Sequence, residues 1–153
     1  MKISGAGTIY TSMKYEFSAG GVVFRKEGGQ TVILVSQHSQ HHGWVFPKGF
    51  IGDKIAGESK ENTALREVKE ETGIIGEILK PLTPVAYWYQ MDSVKRKKTV
   101  YYYIMQYING DITNHDSEME NVEWLPLDKV AKRLTFDSDK QVWEEAEEII
   151  RQI

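Results

Sequence analysis

The stretch from Ser59 to Gly73 constrains the fold more than any other part of this chain. It reads as one helix. Ser59 is a residue whose hydroxyl can accept an early amide N–H, and Gly73 can take the left-handed conformation that stops a helix. At about 100° per residue, Leu65, Val68 and Thr72 share one side, and that side has to be covered by a sheet. The surrounding segments are short, β-branched and punctuated by turn residues. Phe17–Arg25 and Thr31–Val35 predict a hairpin across Gly28-Gly29. Ala19, Gly20 and Gly21 thin the first strand where another backbone can approach. Trp44–Phe46 is a strand stopped by Pro47. Val85–Tyr89 and Thr99–Tyr107 are strands joined by the basic stretch Lys95-Arg96-Lys97-Lys98, and Val122–Leu125 precedes Pro126. A second helix begins near Ser138, with Trp143, Ala146, Ile149, Ile150 and Ile153 as its apolar stripe. Strands around one central helix, closed by a second, predict a layered α/β (α+β) domain.

Composition removes several classes of function. The 153 residues suit a single domain over 1–153. Without cysteine there is no disulfide, thiolate metal site or cysteine nucleophile. A formal net charge of -3 gives no general polyanion-binding surface, so stable nucleic-acid binding is not expected. No apolar run is long enough to span a membrane. Met1–Ser12 lacks the apolar core of a signal peptide, and a cytoplasmic location is expected. Met13 is an alternative start, with residues 1–12 as an extension.

The chemistry points to Glu67, Glu70 and Glu71. At spacings i, i+3 and i+4 they fall within an arc of roughly 100°, placed opposite the Leu65/Val68 side. Three carboxylates so close repel one another, and a hard divalent cation would turn that repulsion into binding. The same spacing also describes an ordinary solvated acidic face.

The wider segment decides between them. Gly52, Glu58, Arg66, Glu67, Val68, Glu70, Glu71, Gly73 and Ile74 fill every fixed position of a pattern: Gly, five residues, Glu, seven residues, Arg-Glu, aliphatic, any residue, Glu-Glu, any residue, Gly, aliphatic. This resembles the Nudix box. The resemblance extends to Trp44-Val-Phe-Pro-Lys-Gly49 and to the strand order from about Phe17 to Leu127. One departure stands out. The glycine of Pro-Lys-Gly commonly opens the box, whereas here Gly49 lies three residues before Gly52, which predicts an expanded loop with Gly49 in the family's structural position. The resemblance implies an α/β/α sandwich with a mixed sheet and a loop–helix–loop catalytic motif. It implies hydrolysis of a nucleoside diphosphate linked to another group, dependent on magnesium, with manganese as the alternative. Glu67, Glu70 and Glu71 would bind metal and Arg66 would orient them. Glu118, with Glu120 as backup, would reach the metal or act as general base, a role Glu67 could also fill. Glu58 would support the loop–helix geometry or bind a metal through water.

Three features bear on the substrate. Tyr87 and Tyr89 alternate to one face of a strand, about where diadenosine-polyphosphate hydrolases stack a base. Lys98-Thr99-Val100 resembles a segment of the same enzymes and would hold distal phosphates. Lys48 and the loop histidines His41 and His42 would touch phosphates as well. Pro81 and Pro84 lie nearer the box than the proline pattern of ADP-ribose hydrolases. A dinucleoside polyphosphate such as diadenosine tetraphosphate is therefore the expected substrate. Nucleoside triphosphates, RNA 5′ ends, ADP-ribose and a non-catalytic nucleotide sensor are the alternatives, in a monomer or a homodimer.

Overall fold

The computed structural model describes residues 13–153 in full and, before them, the backbone of two short paired strands, β1 (Lys2–Ser4) and β2 (Thr8–Tyr10). The reading of residues 1–12 as an extension falls outside the fully described residues. The long strand β3 (Met13–Glu27) turns through Gly28 and Gly29 into β4 (Gln30–His38). Both glycines hold positive φ, 54° and 79°, as a two-residue hairpin turn requires. Short strands β5 (Trp44–Val45) and β6 (Lys48–Phe50) pair with β4 and β3. Helix α1 (Lys60–Thr72) follows, then β7 (Ile74–Pro81), β8 (Val85–Met91) and β9 (Val94–Gly110). A 3₁₀ turn at Ile112–Asn114 leads to β10 (Met119–Pro126), and α2 (Leu127–Arg133) and α3 (Asp137–Ile150) end the fold. The main sheet runs β10-β4-β3-β9-β7, with β5, β6 and β8 attached at its sides. It is mixed, because β9 runs parallel to β3 from Met13 to Phe24 and the other pairs are antiparallel.

Strict alternation along three strands divides the core into two layers. Ala19 and Val23 of β3, Leu34 of β4, and Tyr103 and Met105 of β9 pack against Ala64 and Val68 of α1. Their sequence neighbours Val22, Phe24, Ile33, Val35, Tyr102 and Ile104 point the other way, onto Val130 of α2 and Val142, Trp143, Ala146 and Ile150 of α3. The result is the expected α/β/α sandwich. The thin spot in β3 is also where it was read. A Cβ on Gly20 would stand 2.1 Å from the Pro47 carbonyl oxygen, and one on Gly21 would stand 2.7 Å from Met105 Sδ. These two glycines let β6 cross one side of β3 and α1 press on the other.

The structure differs from the sequence reading in five places. Lys95–Lys98 is not a connection; it lies inside β9, and the turn falls at Asp92 and Ser93, both at positive φ. Strands β6 and β7 and helix α2 come as additions, since none carries a clear apolar period. Ile153, read as part of the final stripe, is exposed beyond the end of α3.

Trp143 is fully buried and packs near Phe46, with ring centroids 6.3 Å apart. Trp143→Ala should cost about 3–5 kcal/mol of folding stability, read as a lowered denaturation midpoint in urea with an unchanged slope.

Candidate functional site

Helix α1 is held at both ends by the residues its sequence announced. The Ser59 side chain accepts from Asn62 N at 3.1 Å, and Gly73, at φ 80°, donates its N–H to Lys69 O at 2.8 Å. The acidic arc does not face solvent opposite the apolar stripe. Glu67 and Glu71 are only 6% and 5% exposed. They flank the Val68 stripe, and β6 folds over them. Lys48 N donates to Glu71 Oε2 at 3.0 Å, and a Cβ on Gly49 would stand 2.0 Å from Glu67 Cδ. Only a glycine fits there. Gly52 does something else: at φ 76° with open space around it, it turns the loop that follows β6.

One guanidinium ties this loop to the helix. Arg66 Nε and NH2 each donate to Glu58 at 2.9 Å. NH2 also reaches Asp53 at 3.2 Å. NH1 donates to Glu67 at 2.9 Å and to Glu70 at 3.2 Å. The hydroxyl of Thr63 completes Glu58 at 2.8 Å. The Arg66 hydrogen bonds, chief among the causes, hold the Glu58 carboxyl below its ordinary pKa. Burial opposes ionisation of Glu70, but the hydrogen bond from Lys54 Nζ at 2.7 Å and the charges of Lys54 and Arg66 win, and its pKa is lowered.

Beside this network lies a cavity of about 590 Å³. It gathers Glu67, Glu71, Glu118, Lys48, Tyr87 and Lys98 from α1, β6, β8, β9 and the loop before β10. Glu70 and Arg66 stand behind its wall. Two expected substrate residues lie elsewhere. Tyr89 shares the face of Tyr87 but sits further out along the hairpin, where its hydroxyl donates to Glu16. His42, exposed and at φ 61°, turns its Nδ1 to Glu120 at 2.5 Å. That contact also takes Glu120 away from the cavity wall.

The cavity is divided electrostatically. Burial pushes the Glu71 carboxyl well up, with Glu67 and Glu118 adding to the effect and Lys48 opposing it. Glu67 is raised by burial against the pull of Arg66. On the opposite wall, burial and the nearby Lys48 lower the Lys98 pKa. Lys48 lies between the two groups, since its charge opposes the rise at Glu71 and adds to the fall at Lys98. Among the described residues, no three His, Asp or Glu side chains converge as a ready set around an ion. Glu67 and Glu70 are turned to Arg66, and Glu71 to the Lys48 amide. The donor chemistry nevertheless suits a hard divalent cation: all are carboxylate oxygens, and mutual repulsion at Glu71, Glu67 and Glu118 is what such an ion relieves.

The sequence reading missed two wall residues, Asp139 and His38. Asp139, 3% exposed, accepts from Phe46 N at 3.2 Å and from the Tyr102 hydroxyl at 3.4 Å. An acid in the first turn of a helix looks like an ordinary capping charge, so nothing local betrays it. His38 and His41 are stacked with ring centroids 4.3 Å apart. Their Nδ1 atoms accept from Gln40 N at 3.1 Å and Gly43 N at 2.9 Å, which leaves Nε2 to carry the proton in each neutral ring. His41 was noted as a phosphate contact; His38 was noted only as part of the loop.

Comparison with known proteins agrees with this geometry. The NUDIX domain family matches residues 14–149. A Mycobacterium tuberculosis protein carrying the name mutator protein MutT4 is 35% identical over 142 residues, 89% of this chain but 56% of that protein. This chain therefore spans little more than half of that relative's length. The rat asymmetrical bis(5′-nucleosyl)-tetraphosphatase is 30% identical over 120 residues, 78% of this chain and 79% of the relative. Among solved structures, a binary complex of the Caenorhabditis elegans Ap4A hydrolase superposes with a TM-score of 0.71 at 26% identity, covering 90% of this chain and 99% of that one.

Burial raises the Asp139 pKa in the native state. A carboxyl whose native pKa lies above its unfolded value contributes stability that is complete below the unfolded value and is lost as pH climbs through the native one. Asp139→Asn lacks that loss. Its Tm relative to the original chain should therefore rise between mild acid and neutral pH. A relative Tm that falls over the same range would mean that Lys48, not burial, governs this carboxyl.

Proposed function

Because this chain belongs to the Nudix domain family, we propose that it is a magnesium-dependent pyrophosphohydrolase, with manganese as an alternative metal, and that its substrate is a dinucleoside polyphosphate such as diadenosine tetraphosphate. The observation that carries the reading is the single cavity that sets Glu67, Glu71 and Glu118 against Lys48, Lys98 and Tyr87. No three carboxylates are needed together for packing, and a buried Glu71 with raised pKa costs stability that a function has to justify. The names of the rat enzyme and of the nematode structure support the choice of substrate.

In this reading Glu67, Glu70 and Glu71 hold the metal, with Glu118 reaching it from the opposite loop. When bound, the metal neutralises phosphate oxygens and makes water a better nucleophile. Arg66 holds Glu67 and Glu70 in place and its charge favours their ionised forms. Glu118, exposed to the cavity, takes the proton of the attacking water. Lys48 and Lys98 meet the phosphate chain, and the half-buried Tyr87 ring, its hydroxyl pushed up to about 12 by burial, stays neutral and offers a flat face to a base. The similarity to a Mycolicibacterium smegmatis protein named 8-oxo-(d)GTP phosphatase, 28% identical over 134 residues, makes nucleoside triphosphates the second substrate reading.

The test is a panel of diadenosine tetraphosphate, nucleoside triphosphates, ADP-ribose and triphosphorylated RNA, incubated with the protein and magnesium and resolved by ion-exchange chromatography. ATP plus AMP from diadenosine tetraphosphate is expected. Glu71→Gln should cut turnover by about 100-fold or more without changing the far-ultraviolet dichroism. Lys98→Met should raise KM for that substrate more than it lowers kcat. Cleavage of another panel member alone overturns the substrate, and full activity in Glu71→Gln overturns the metal assignment.

A further inference from the structure

The loop that departs from the family's spacing delivers a lysine into the acid network. The segment between Gly52 and Gly57, both at φ 76°, carries Asp53 and Lys54. Lys54 Nζ lies 2.7 Å from Glu70 Oε2, and the same oxygen accepts from Arg66 NH1 at 3.2 Å. Next to it, Asp53 binds Arg66 at 3.2 Å. Both residues therefore attach the loop to the carboxylates of α1, and both line the cavity beside Glu67 and Glu71. Among the described residues, Asp53, Glu58, Glu67 and Glu70 share only Arg66 and Lys54 as cations. When all four acids are ionised, two negative charges remain, the charge of one divalent ion; without Lys54 three would remain. The Lys54 side chain is 57% exposed, so no packing holds it on Glu70 and it can leave.

We propose that Lys54 is a resident counter-ion of Glu70 that a divalent cation must displace, so that the expanded loop sets the metal concentration at which the site fills. The inference rests on the metal reading of Glu70. An ammonium and a metal ion compete for the same carboxylate oxygen, and the loop, turned by glycines at both ends, can carry Lys54 away from it. Lys54 acts here as a positioning residue, through Glu70.

The test titrates manganese into the full chain without substrate, following free manganese by electron paramagnetic resonance. Lys54→Met is expected to bind manganese about two- to fivefold more tightly, the worth of one exposed ion pair. Lys54→Arg, which keeps the charge, should bind as the original chain does. Glu71→Gln serves as the control for the metal site itself. Equal or weaker binding by Lys54→Met, with the original chain binding and Glu71→Gln impaired, overturns the counter-ion role and leaves the metal site standing. An original chain that binds no manganese overturns both.

Discussion

Arg66 is the hub on which the site depends. Its guanidinium, 16% exposed, serves carboxylates from the loop (Asp53, Glu58) and from its own helix (Glu67, Glu70). Without it, α1 would present like charges on adjacent turns, some of them out of water, and such charges cannot stay ionised without a partner. The planar fork matters as much as the charge. Two nitrogens grip Glu58 while the third spans the gap between Glu67 and Glu70, which a lysine could not do. The loop's end, the helix's first turns and the carboxylates of Glu67 and Glu70 are thereby one unit. Because Glu58 is also fixed by Thr63 and the helix start by Ser59, the register between loop and helix is set twice over.

A second constraint is backbone proximity. The wall of the cavity exists because β6 passes close to β3 and to α1 at once. On one side Gly21 N donates to Pro47 O at 3.1 Å, and Gly20 leaves room for that carbonyl. On the other, Gly49 leaves room for the Glu67 carboxylate. Side chains at either glycine would push the strands apart and let water reach Glu71, whose burial sets its proton affinity. The fold's thinnest points are thus what allow the burial of Glu67 and Glu71.

How much of this the sequence disclosed follows from the kind of signal each part carries. Helix α1 was legible because cap, stop and apolar period all agree within fifteen residues, and the glutamates because they sit at fixed offsets on it. The burial of Glu67 and Glu71 was not, since it depends on β6, a three-residue strand with no pattern of its own. The basic run Lys95–Lys98 looked like a loop because charge hides strand period, although Arg96 and Lys98 alternate with Lys95 and Lys97 across β9. Lys98 alone among these lines the cavity. Asp139 and the tautomers of His38 and His41 depend on contacts with distant or main-chain partners, and no local spacing encodes them. Gly49 and Gly52 show the same limit. Both are box-like glycines in sequence, and only their surroundings separate a close approach to Glu67 from a left-handed turn.

The position of Glu118 shows how the distant wall is tied to the helix. Its own N–H is satisfied by Asp116 Oδ1 at 3.0 Å, and its carbonyl accepts from Ser39 N at 2.8 Å at the end of β4. Asp116 N in turn donates to Glu70 O at 3.1 Å, at the last turn of α1. The loop is therefore clipped between the carboxylate helix and the sheet by main-chain hydrogen bonds, and β10 then takes up pairing with β4 through a register shift between Met119 and Asn121. That shift lets the chain change direction just past Glu118. Glu118 and Glu120 are two residues apart on this irregular stretch, yet one faces the cavity and the other the exposed His42, because the first is held by backbone contacts on both sides and the second by a single side-chain partner. Main-chain hydrogen bonds of this kind hold the Glu118 backbone independently of the charge state of the nearby acids, which a salt bridge would not.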